Sequence, residues 1–154
     1  MLSRRSLLVS LAACAATAIA VPLVLSRARV RAQASPPRLA IGGYDPVAYF
    51  VSGKPVLGSP QFVADWDGTR YQFASAANRA AFVATPDRYA PQFSGYCAGN
   101  MAQGRLAEPN PQNWVISNGR LYVFASAEGP ARFKGPEGPN LIRRAEGNWQ
   151  TVKR

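Results

Sequence analysis

A small α+β domain, built of two β-hairpins with short flanking helices, is the fold this sequence predicts, on three observations. Asp67-Gly68 and Asn118-Gly119 each lie between alternating apolar stretches, residues 62–66 before 71–73 and 114–116 before 121–124. Such dipeptides tolerate the positive φ angles of a two-residue hairpin turn. Each hairpin is followed by a serine able to cap a helix, Ser75 or Ser126. The two segments also repeat one another. Gly68/Gly119, Tyr71/Tyr122, Phe73/Phe124, Ser75/Ser126 and Phe82/Phe133 share one offset of 51 residues. Hairpins alternating with short helices pack as an α+β domain.

Residues 1–34 read as a targeting segment outside that domain. Ser3-Arg4-Arg5-Ser6-Leu7-Leu8 is a twin-arginine signature, and an uncharged apolar run covers residues 7–25. Arg27, Arg29 and Arg31 then precede Ala32-Gln33-Ala34, whose small residues suit a signal peptidase. Late basic residues disfavour the general secretory route, so the segment predicts twin-arginine export to the periplasm. Two other readings stay open. The apolar run approaches the ~20 residues a membrane span needs, so residues 7–25 can serve as an uncleaved inner-membrane anchor. Leu11-Ala12-Ala13-Cys14 resembles a lipobox, although the chain stays apolar after Cys14.

Residues 35–154 then form one domain large enough for a single modest core. The whole chain carries +10, but five of its eighteen basic residues and none of its eight acids precede Ser35. The domain thus holds thirteen bases against eight acids, a net +5. Those bases are scattered, which fits a solvated surface and not a nucleic-acid face.

Within the domain, Asp45-Pro46 pairs a cap with a first-turn proline and predicts a short helix over 46–51, closed by Gly53. A helix over 76–84 follows the first hairpin and ends at Pro86. Residues 127–133 contain Gly129 and Pro130, which predicts a distorted turn in place of a regular helix. Leu141, Ile142, Ala145 and Trp149 recur at helical spacing and predict an amphipathic terminal helix.

Gly43-Tyr44-Asp45-Pro46-Val47-Ala48-Tyr49-Phe50, Tyr71-Gln72-Phe73-Ala74-Ser75, Pro86-Asp87-Arg88-Tyr89, Pro91-Gln92-Phe93, Gly95-Tyr96-Cys97-Ala98 and Gly119-Arg120-Leu121-Tyr122 occur in that order. In these pieces the chain resembles the YHS domain family, in its small exported bacterial branch. The resemblance implies the YHS-type fold over 35–154 but no established activity. It also implies that metal-binding relatives place cysteines where this chain has Ala48, Ala74 and Asn78, and a histidine that this chain lacks. Methyl and amide groups do not replace thiolate or imidazole ligands, so the inherited metal site is expected to be lost.

The candidate chemistry is narrow. No histidine exists anywhere in the chain, which removes the commonest general base and the usual activator of a nucleophilic Cys or Ser. The carboxylates offer no closely spaced pair like that of a glycosidase, and no glycine-rich phosphate loop is present. Cys97 is the one cysteine of the domain and has no disulfide partner within it. With Tyr44, Asp45, Tyr49 and Tyr96 it forms a candidate ligand-binding set, in which phenol tips surround one carboxylate. Cys97 and Met101 lie four apart, so a helix opening at Cys97 places both sulfurs on one face, the start of a copper(I) site. Each of these residues also suits a packed core.

The sequence therefore predicts a non-catalytic exported binding or accessory module, with a metal ion, a small molecule or a periplasmic protein as partner. A thiol-dependent enzyme or redox sensor using Cys97, and a purely structural partner-binding domain, are the alternatives. Intact-mass measurement of the exported protein is expected to find a chain starting at Ser35; a retained Met1 would overturn the cleavage.

Overall fold

The computed structural model describes residues 36–153. The segment expected to direct export, its apolar run and Cys14 lie outside them. Among the described residues no helix is long and apolar enough to cross a membrane.

The fold is a small α+β domain. Strand β1 (Arg38–Leu39) runs parallel to β3 (Thr69–Phe73), which pairs antiparallel with β2 (Ser59–Trp66), giving the order β1-β3-β2. Strands β4 (Asn110–Ser117) and β5 (Arg120–Phe124) form a separate antiparallel pair. Both hairpins turn where the sequence predicts. Asp67 and Gly68 have φ of 48° and 72°, and Asn118 and Gly119 have 51° and 73°, as a two-residue hairpin turn requires.

Helix α1 (Ala48–Val51) begins two residues later than expected, and Asp45 Oδ1 accepts from the Val47 and Ala48 N–H groups at its start. Helix α2 (Ala76–Ala84) is capped by Ser75, whose side chain accepts from the Asn78 backbone N–H. Pro86 ends α2 but also opens a further turn, α3 (Pro86–Tyr89), since proline suits a first helical position. Helix α4 (Ala98–Met101) starts directly after Cys97. The segment expected as a distorted turn contains a regular helix, α5 (Gly129–Lys134), because Pro130 falls in its first turn, where no backbone donor is needed. Helix α6 (Gly138–Val152) is the terminal amphipathic helix, packing Leu141, Ile142, Ala145 and Trp149 inward.

The repeat reaches much further into the backbone than the sequence discloses. Both hairpins shift register at equivalent places, Ser59/Val63 and Asn110/Trp114, and both long strands carry a proline there, Pro60 and Pro111. Before each hairpin the chain makes a left-handed turn, with φ of 51°, 57° and 84° at Ile41, Gly42 and Gly43 and of 58°, 51° and 79° at Phe93, Ser94 and Gly95. A β-branched or bulky residue with positive φ is strained, by ~1–3 kcal/mol. Burial of the Ile41 and Phe93 side chains, ~1.5–3 kcal/mol each, offsets it. Tyr44 N–H then bonds Ile41 O at 3.1 Å, and Tyr96 N–H bonds Phe93 O at 3.0 Å.

There are two apolar clusters, and the second hairpin contributes to both, with Leu121 and Val123 in the first and Tyr122 and Phe124 in the second. The first gathers Ile41, Val47, Tyr49, Tyr71, Phe73 and Phe82; the second gathers Phe93, Cys97, Met101, Tyr122, Phe124 and Phe133. Trp114 joins the halves by packing edge-on to Tyr49 at 5.2 Å. Arg38 does the same from β1, bonding Glu108 at 2.9 Å and Ser94 O, with its guanidinium 3.7 Å from the Tyr96 ring centre.

Burial pushes the phenols of Tyr49, Tyr71 and Tyr122 above their ordinary value of 10.0; neighbouring Tyr44 and Asp45 add to this at Tyr49. The unfolded chain ionises these groups near pH 10 while the folded chain holds them neutral. Their contribution to stability is thus complete below pH 10 and is lost as pH rises beyond it. Tyrosinate absorbance during alkaline titration should show three of the six tyrosines ionising only with loss of the folded circular dichroism signal.

Candidate functional site

The two halves each place one polar side chain at the same point of the repeat. Asp45 and Cys97 follow Gly43-Tyr44 and Gly95-Tyr96, and their N–H groups bond Val56 O and Ala107 O, each at 2.9 Å. Each side chain then accepts from the N–H that follows the last residue of the hairpin. Ala74 N–H bonds Asp45 Oδ2 at 2.8 Å, and Ala125 N–H bonds Cys97 Sγ at 3.1 Å. Cys97 is therefore the positional counterpart of a carboxylate.

Around Asp45 the cage is full. Its Oδ1 accepts from Val47 N–H at 2.8 Å and Ala48 N–H at 3.3 Å, and its Oδ2 also accepts from Asn78 Nδ2 at 2.6 Å. Four donors converge on a carboxylate with no exposed surface. This buried acid is thereby satisfied, as burial of charge demands. The same donors face inward from Ala48, Ala74 and Asn78. N–H groups repel a cation, so these residues do not fit a metal ion.

Around Cys97 the cage is open. Asn100 Nδ2 supplies the second bond to Sγ, at 3.2 Å. The sequence counterpart of Asn78 is Gly129, which has no side chain to send inward. A Cβ there would stand 2.5 Å from the Phe124 ring, so glycine is required for α5 to pass. Helix α5 also starts three residues after Ser126, whereas α2 starts directly after Ser75. A cavity of about 600 Å³ results between β5, α4, α5 and α6, walled by Cys97, Asn100, Phe124, Ser126, Arg132 and Arg144 among others. That volume lies in the range of small-molecule sites.

Comparison of the chain with protein-family models, curated proteins and solved structures found no match.

The five residues expected to share a ligand site are divided by the fold. Tyr44, Asp45 and Tyr49 belong to the first cluster, Tyr96 and Cys97 to the second. Tyr49 is 1 % exposed and donates to Pro111 O at 3.0 Å, and Asp45 is consumed by its own cage. Tyr96 faces Arg38 and Trp149. Of the five, only Cys97, itself 3 % exposed, walls the cavity. Cys97 does open a helix, and Met101 does lie one turn on, but Met101 is fully buried and is not part of the cavity wall. Among the described residues no group of three or more His, Cys, Asp or Glu side chains converges. A soft metal would meet only two sulfurs, one of them already holding two N–H groups.

Sequence reasoning missed Asn100, Arg132 and Arg144. The spacing of Asn100, three residues after Cys97, is a readable signal for a side chain returning to the sulfur. Nothing local marks the arginines, which reach the cavity only because α5 and α6 fold over β5. Asp45→Ala is expected to cost about 3 kcal/mol or more, by leaving buried donors unmet. Cys97→Ser should cost about 1 kcal/mol. Urea unfolding followed by tryptophan fluorescence measures both, and equal costs would refute the distinction between a full and an open cage.

Proposed function

We propose that this chain is an exported, non-catalytic binding module of YHS type, delivered to the periplasm by its twin-arginine segment, and that it holds a small molecule in the cavity beside Cys97. The observation that carries this reading is the contrast between the two cages. One is closed by the chain's own groups, and the other keeps about 600 Å³ of space walled by Phe124, Phe133 and Leu141 as well as by polar and charged side chains. The absence of any histidine supports binding over turnover, since the thiol has no imidazole to activate it.

The resemblance to YHS relatives supports a binding role in a second way. The three positions where it implies metal-ligating cysteines, Ala48, Ala74 and Asn78, all donate to Asp45. All three positions are thus engaged in holding Asp45, and the open room lies in the other half. Binding by Cys97 and Met101 of copper(I) is the weaker form of this reading, because the cavity wall includes one of the sulfurs and not the other.

One observation favours a second reading, thiol chemistry at Cys97: its sulfur accepts two N–H groups and borders the cavity. Native mass spectrometry of the protein purified from its own periplasm tests the first reading. A non-covalent organic mass is expected, absent from Ser126→Trp, which blocks the cavity while leaving the thermal unfolding temperature close to that of the parent. A parent protein without bound mass would count against the binding role. A thiol reagent in native buffer discriminates the second: modification only after unfolding excludes thiol chemistry.

A further inference from the structure

The binding reading says where a ligand sits; the repeat says what its chemistry is. In the first half the cage closes on a carboxylate, with the N–H of Ala74 directed at one oxygen. In the second half the equivalent N–H, that of Ala125, is directed at the sulfur of Cys97, so a neutral thiol stands where the closed cage holds two carboxylate oxygens. The side chains that reach the open cage differ in sign from those of a cation site. Arg132 and Arg144 both wall it, with Glu128 as the single acid. Arg132 pairs with Glu137 only at 3.7 Å across exposed surface, a contact of little strength, and Arg144 has no ion-pair partner among the described residues. Asn100, Gln103 and Ser126 add neutral polar groups.

Among the described residues a second cavity of similar size has the opposite balance. This one, beside Trp66 and Trp149, sets Asp67, Asp87 and Glu146 against Arg120 alone. From these observations we infer that the cavity beside Cys97 recognises a small organic carboxylate, seated by the guanidinium groups of Arg132 and Arg144. Guanidinium groups bind carboxylates through paired, charge-assisted hydrogen bonds, and two of them around one cavity select an anion over its neutral amide. Glu128, one helical turn before Arg132, opposes a second negative charge beside it and favours ligands with the carboxylate at one end.

This inference rests on the cavity being a binding site, and the test separates the two. Calorimetric titration of the mature protein uses acetate, succinate and citrate beside acetamide and succinamide, with native mass spectrometry of the periplasmic protein in parallel. At least one carboxylate is expected to bind, its amide at least tenfold more weakly. Arg132→Gln with Arg144→Gln should weaken it by tenfold or more, while Arg88→Gln, on the other half, changes nothing. Glu128→Gln should tighten it severalfold, and raised salt should weaken it. A neutral or cationic co-purified molecule, indifferent to the arginine substitutions, would overturn the carboxylate and leave the cavity reading intact. A protein that carries no mass and binds none of the probes would overturn both.

Discussion

The Asp45 carboxylate is the constraint on which the first half is organised. Its two oxygens accept from the start of α1, from the end of β3 and from the side chain of α2, so three elements that are separate in sequence meet at one buried charge. Burying that charge without these donors would cost far more than the small net stability of a domain this size. The donors are directional, so they set the positions of α1 and α2 over the sheet. The aromatic packing of Tyr71, Phe73 and Phe82 then fills the space so defined.

The second half is the same plan with that constraint relaxed. A thiol accepts weak hydrogen bonds and tolerates an apolar setting, so Cys97 can close the sharp turn into α4 without requiring every neighbouring donor to turn toward it. Helix α5 is free to begin later, and α6 can cover the gap. The differences at Asp45/Cys97 and at Asn78/Gly129 within a repeated frame thus go together with a displaced helix and an open cavity. The repeated left-handed turns and matched bulges indicate that both halves obey the same backbone solution, differing in what the central position holds.

Much of this architecture was legible in the chain. The turn dipeptides located both hairpins, and the spacing of Leu141, Ile142, Ala145 and Trp149 located α6, because these signals are local. Strand β1 was not legible: two residues pairing in parallel with β3 leave no periodicity. The left-handed turn at Ile41 was hidden as well, since its cost is offset by burial that only the tertiary structure supplies. For the site, Cys97 stood out by its rarity, whereas its place at the head of α4 entered the sequence reading only as a condition on the Cys97–Met101 spacing. The grouping of Tyr44, Asp45, Tyr49 and Tyr96 with it did not follow, because adjacency in composition says nothing about which half of a repeat a side chain joins. The arginines of the cavity come from helices whose packing no local pattern records.

Pro60 and Pro111 occupy matching places in β2 and β4, the outermost strands of their sheets, beside the register shifts. An open strand edge is a template on which other chains can stack, and a missing amide donor next to a kink breaks that template. The edges formed by β2 and β4 are therefore interrupted ladders. The repeat builds the same interruption in twice, once beside each hairpin.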